Sequence, residues 1–162
     1  MDSIATFLET SRLAAFVNNT SWAWAACETL HFIGMALLIG CVGLLDLRML
    51  GVGKQLAVGP LHRLIPYGIA GFLINLLTGI VFFVTIPRQY MYNVAFIAKM
   101  GLIVIAGVNV LVFYSTVYKA AERLGPGDEA PFIAKATAVV SLLAWFGVMY
   151  FGRMLPFIGD AF

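Results

Sequence analysis

The sequence predicts an all-α integral membrane protein, an up-and-down bundle of four transmembrane helices preceded by a short interfacial helix. Three observations carry this expectation. Four apolar runs each approach or exceed the ~20 residues a helix needs to cross a ~30 Å hydrocarbon core. Hydrophobic residues make up 62% of the chain and charged residues only 11%, against roughly 25% charged in an average soluble domain. The runs show no period-two alternation, and open sheet edges are forbidden in lipid, so a barrel is excluded. The formal net charge of +2 is too small and too scattered for a nucleic-acid surface. The whole chain, 1–162, reads as a single membrane domain.

Taken in order, the segment about 3–17 places Ile4, Phe7, Leu8 and Ala15 near one helical face, with Asp2, Glu9 and Arg12 elsewhere, as suits a helix lying in the membrane surface. The stretch before Arg12 holds acidic residues and no basic one, unlike a secretory leader, so this end is expected to be retained. The first span covers about 22–45. Asp46 and Arg48 follow it as a stop signal, and at a spacing of two they tie different neighbours. Gly51, Gly53, Gly59 and Pro60 break the chain before the second span, about 64–86. Pro87 and Asn93 separate it from the third, about 95–118. Gly125-Pro126-Gly127-Asp128 and Pro131 precede the fourth, about 137–155. Short loops make neighbouring helices antiparallel. Cys27 and Cys41 fall in one helix ~20 Å apart and cannot bridge each other.

Basic residues give the orientation. Lys54 and Arg63 lie in the first loop, with Arg48 at its edge, and Lys119, Arg123 and Lys135 lie around the third, while the second has only Arg88. The first and third loops are therefore expected in the cytoplasm and both termini outside. Trp22, Trp24, Tyr90 and Tyr92 would form an outer aromatic belt.

Ionisable residues at membrane depth cost at least ~2.5 kcal/mol on insertion scales, so each needs a partner, water or a purpose. Glu28 and His31 share a face of the first helix, and Met35 follows one turn on. Measured along the helix, His31 lies ~13 Å and Glu28 ~9 Å below the outer end, and Lys99 ~6 Å below the outer end of the third helix. Arg153 closes the fourth. Glu28, His31, Lys99 and Arg153 are thus expected to converge in the outer half of the membrane. Stripes of Gly68, Gly71, Asn75 and Thr78, and of Ser141, Trp145 and Gly152, read first as packing surfaces. His62 lies at the opposite face from His31, so the two are not expected to hold one cofactor. Gly51-Val52-Gly53-Lys54 lacks the rest of a phosphate-binding loop.

The stretches ETLHFIGMALLIG with DLRMLG, LIPYGIAGFLINLLTGIVFF, NVAFIAKMGLIVIAGVN and SLLAWFGVMYFGR resemble an uncharacterised family of short bacterial membrane proteins with a domain of unknown function. More distantly, the order of His31, Gly34, Arg48, Thr78-Gly79 and Lys99 is similar to that in HemJ-type protoporphyrinogen oxidases, and the chain also resembles CopD-type copper-resistance membrane domains. The resemblance implies a multi-pass protein of the bacterial cytoplasmic membrane, with a b-type haem held by His31 and Lys99 near the other axial position or the porphyrin. His31 is then the metal ligand and Met35 the other axial candidate. Arg153 becomes a propionate partner, and Glu28 with Lys99 the groups that handle protons. The chemistry expected is electron transfer, with a membrane oxidoreductase as its enzymatic form and a quinone or a periplasmic redox partner. The alternative is copper at His31, Met35, Cys27 or Glu28, since soft sulfur and imidazole ligands suit Cu(I). A purely structural subunit without a cofactor is the third reading. Many small residues and exposed apolar faces favour a homo-oligomer.

Overall fold

A computed structural model describes residues 2–158, and the described residues form helices and turns without a strand. The surface segment is two helices, α1 (Asp2–Glu9) and α2 (Arg12–Asn19), where one was expected over about 3–17. The break has a local cause. Thr10 Oγ1 donates back to Thr6 O at 2.9 Å, ending the first helix, and Ser11 Oγ accepts from Ala14 N–H at 3.2 Å, starting the second. Ala5, Ala14 and Val17 are buried against the bundle, while Phe7 and Phe16 stand exposed, as side chains reaching into an interface do. Arg88 fixes this layer from the next loop by donating to Glu9 Oε1 and Thr6 Oγ1, each at 3.2 Å.

Four spans follow. The first is α3 (Ala23–Met49). The second joins α4 (Val58–His62) to α5 (Ile65–Thr85), and α6 (Pro87–Met91) caps its far end. The third joins α7 (Val94–Val112), a π-helical turn (Phe113–Val117) and α8 (Tyr118–Ala121), and the fourth is α9 (Phe132–Met154). Two boundaries differ from expectation for physical reasons. α3 continues past Asp46 and Arg48 because both are buried against protein and do not meet water there. α9 begins five residues early because Lys135, read as loop from its charge, sits in the first turn and reaches out to Glu129 at 3.3 Å. Lys54 also pairs with Glu129. Its hydrogen bond, and then that of Lys135, hold the Glu129 carboxyl below the usual carboxylate range.

The bundle is two helix pairs. α3 packs along α5 and α7 along α9, α3 and α9 join the pairs, and α5 and α7 stand apart across a lengthwise seam. Glycine makes the first pair close: a Cβ on Gly71 would lie 2.5 Å from Gly34 O and 2.8 Å from Leu38 N. At one end Asn93 Oδ1 caps α7 at Ala95 N (2.9 Å) while its Nδ2 donates to Leu155 O (2.9 Å), tying α7 to the end of α9. At the other, Leu45, Met49, Val58, Val117, Ala121 and Ala134 belong to a shared apolar core. Beside it Arg48, 1% exposed, donates to Leu56 O at 2.6 Å, Gly125 O at 2.9 Å and Asp128 O at 3.3 Å. One guanidinium thereby holds the first and third loops together.

Candidate functional site

The site lies at the end of the bundle capped by α1, α2 and α6, where the seam separates α3 and α5 from α7 and α9. Its centre is His31 on α3. The imidazole Nδ1 is 2.7 Å from Thr78 Oγ1 on α5, and the ring rests on Phe82 with centroids 5.4 Å apart. Thr78 Oγ1 is itself 2.7 Å from Ile74 O, one turn back on its own helix. The hydroxyl proton therefore goes to that carbonyl, and His31 Nδ1–H donates to the hydroxyl oxygen. In the neutral ring this leaves the lone pair on Nε2, the nitrogen turned away from Thr78. A hydrogen bond that fixes one ring nitrogen and frees the other is the usual support of a metal-binding histidine.

This assignment makes a prediction. In the protein carrying ¹⁵N-labelled histidine, His31 shows a protonated Nδ1 and an unprotonated Nε2. In Thr78→Val, which keeps the shape and removes the oxygen, that preference is lost and the ring signals broaden or move toward the other tautomer. Unchanged His31 signals in the variant would show that Thr78 does not set the ring.

Cys27, one turn before His31, donates its thiol to Thr78 O at 3.7 Å, so one residue of α5 anchors two side chains of α3. Across the seam, Lys99 of α7 lies within electrostatic reach of His31. Its ammonium runs over α9 at Gly152, where even a Cβ would come within 3.5 Å of Nζ. Tyr90, from the loop above, packs between Phe83 and Phe96 (6.1 and 5.4 Å). Burial first, and then the neighbouring Cys27 and Glu28, push its phenol up to about 12, so it is a neutral donor at ordinary pH.

The residues expected to converge are thus placed unequally. His31 packs on α5 and Lys99 on α9, and the two come within electrostatic reach of each other from different pairs. Glu28 is near Cys27 and Tyr90 and is exposed on α3. Met35 is half-buried one turn from His31, and Arg153 is exposed at the end of α9 with no ion pair among the described residues. His62 is engaged elsewhere, its Nε2 2.9 Å from Tyr114 Oη near the other end of the seam. Arg48, which the HemJ-like order aligned with a site position, is in the loop clamp. Among the described residues, no three His, Cys, Asp or Glu side chains gather as a metal cluster. Thr78 stood in the HemJ-like order, though not as the partner of His31, and Tyr90 was expected only in the outer aromatic belt. Thr78 also stood in the stripe of small and polar residues on α5, whose three-to-four spacing marks one face of that helix.

Fold and site together define a multi-pass α-helical membrane protein with a histidine-centred polar group within one end of its helices. Residues 6–158 match the model of DUF6644, described as a family of unknown function, and the chain belongs to that family. Neither a curated protein nor a solved structure matches it.

Proposed function

We propose that this protein binds haem b at the His31 end of the seam and passes electrons between a lipid-soluble or periplasmic partner and the membrane interior. One observation carries the reading: His31 is held by Thr78 through Nδ1, which leaves Nε2 to bind iron. The donor set fits the group. His31 would bind the iron through Nε2, and Lys99, from another helix, could supply a second ligand. Met35, one turn from His31 on the same face of α3, would border the group on the His31 side. Arg153 can pair with a propionate at the membrane surface. When bound, the haem supplies a one-electron iron centre. The protein's own residues do the rest. Thr78 orients the imidazole, Phe82 gives the ring an apolar wall, Lys99 places positive charge beside the site, and Glu28 offers a proton-exchanging group with the neutral Tyr90 phenol as a hydrogen-bond donor near it. Of the positions similar to HemJ-type oxidases, His31, Thr78 and Lys99 support the reading and Arg48 does not.

A second reading rests on Cys27 and His31 meeting at Thr78. A thiolate and an imidazole one turn apart suit Cu(I), with Met35 or Glu28 as further ligands. The two readings differ in the spectrum of protein purified in mild detergent. Haem gives a Soret band that shifts on reduction and is lost in His31→Ala. Copper gives metal by elemental analysis without that band. A protein free of both would reject the two readings together.

The proposed setting is the bacterial cytoplasmic membrane, with the basic first and third loops in the cytoplasm, so that the His31 end faces outward. Only 6% of the most apolar stretch of the third span is buried within one chain, which leaves α7 free to meet lipid or a second copy, and a homo-oligomer is part of the proposal.

A further inference from the structure

The basic end of the bundle, opposite the His31 site, sorts its charges. Arg48 is held in the loop clamp, and Lys54 and Lys135 are paired with Glu129. Arg63, Lys119 and Arg123 remain, all exposed and, among the described residues, without an ion pair. They belong to two elements that pack together. α4 runs along α8 in the opposite direction: Val58 N–H donates to Leu124 O at 3.1 Å, a Cβ on Gly59 would lie 3.9 Å from Glu122 O, and the His62 ring rests on Tyr118 with centroids 4.8 Å apart. Arg63 follows His62 directly, and Lys119 and Arg123 are four apart on and just past α8, the spacing of one helical face. Against these three cations stands Glu122, which accepts from the Tyr118 hydroxyl, so the patch keeps a net positive charge.

This patch stands at the mouth of an apolar groove. Between α5 and α7, which do not close on each other, lies a cavity of about 280 Å³. Ile69, Val110 and Tyr114 belong to its wall and are also exposed, so it opens sideways into the bilayer. Tyr114 joins the two features, since it lines the groove while its Oη meets His62 Nε2 at 2.9 Å. Tyr67, exposed one turn after Arg63, stands with Tyr114 and Tyr118 at the end of the spans, where tyrosine marks the level of the lipid head groups. Because the gap opens into hydrocarbon, an acyl chain is what the surroundings supply to fill it, and the cations at its mouth choose the head group. We propose that this end of the seam seats an anionic glycerophospholipid, its phosphate met by Arg63, Lys119 and Arg123 and one acyl chain lying between α5 and α7. A zwitterionic lipid with the same chains brings an ammonium of its own to a patch already positive, so the preference resides in the head group. The site stands on this arrangement alone, whether or not the other end of the seam holds a metal.

The test places the full chain, with Trp22→Phe and Trp24→Phe, in phosphatidylcholine vesicles. Trp145, which lines the groove, is then the one tryptophan left of three. Its fluorescence is quenched by lipids whose acyl chains carry bromine and come into near contact with the ring. Brominated phosphatidylglycerol should quench at a mole fraction about tenfold or more below that needed with brominated phosphatidylcholine, since each surface cation contributes about fivefold in affinity for an anionic lipid. Arg63→Gln, Lys119→Gln and Arg123→Gln together remove that difference, and because all three side chains are exposed the fold is kept. With the patch intact, raised salt narrows it as well. Equal quenching by the two lipids, as of a groove that takes any chain, would overturn the proposal. So would a preference that survives the triple variant, or no quenching by either lipid, the result if a second copy of the chain closes the gap.

Discussion

Arg48→Ala is expected to lower stability by about 2–4 kcal/mol, the range for leaving buried carbonyls unmatched and opening a cavity beside them. The guanidinium is 1% exposed and serves carbonyls at Leu56, Gly125 and Asp128, in two loops that are distant in sequence. Truncation leaves those oxygens unmatched and opens a hole beside the core formed by Leu45, Met49, Val58 and Ala134. Lysine is a poor replacement, because its point charge does not reproduce a planar fork aimed at several acceptors. Arg48→Lys should therefore recover less than half of the loss. Both values are read from denaturant unfolding, with limited proteolysis showing earlier cleavage in residues 50–57 and 122–131. If Arg48→Ala unfolds with the wild type and its loops stay protected, the clamp is not what holds them.

The second large effect lies where α3 meets α5. Gly71→Ala would set a methyl 2.5 Å from Gly34 O, 2.8 Å from Leu38 N and 2.9 Å from Leu37 Cβ. Two of these atoms are helix backbone and cannot swing aside, so the helices must part, at a cost of about 3 kcal/mol. The damage extends to the site, because Thr78 is carried on α5 two turns further on and its 2.7 Å contact with His31 depends on the same approach. Gly79→Ala is the matching control: a Cβ there meets nothing within 4 Å. It should be neutral or stabilising by roughly 0.5–1 kcal/mol, the gain of replacing glycine within a helix. Equal stability of the two variants would mean that α3 and α5 do not touch at Gly71.

Apolar length and loop punctuation were enough to place four helices and their order, because lipid requires every backbone group to be satisfied within its helix. They misplaced ends where charge was taken for solvent. Asp46, Arg48 and Lys135 are all within helices, two of them buried by partners that only tertiary structure supplies. That His31 and Lys99 lie at the same end of the bundle could be reasoned from helical rise, and they come within electrostatic reach of each other from different helix pairs. Pairing is where the sequence is weakest. Gly34, Gly68 and Gly71 signal a close contact without naming its partner, and the gap between α5 and α7 has no local signature. The burial of Asp46 was hidden for the same reason, since a carboxylate at a helix end looks like a stop signal until neighbouring helices surround it.

The account depends on His31 and Lys99 meeting across the seam although they belong to different helix pairs. In a chain with Cys27 and Cys41 replaced by serine, cysteines at positions 31 and 99 should be joined within one molecule by a short bismaleimide in native membranes, as mass spectrometry of the linked peptides would show. A cysteine at Leu30, exposed on another face of α3, should fail to join position 99. Linkage from position 30 and none from position 31 would turn the histidine away from the seam, leaving a membrane bundle without the site described.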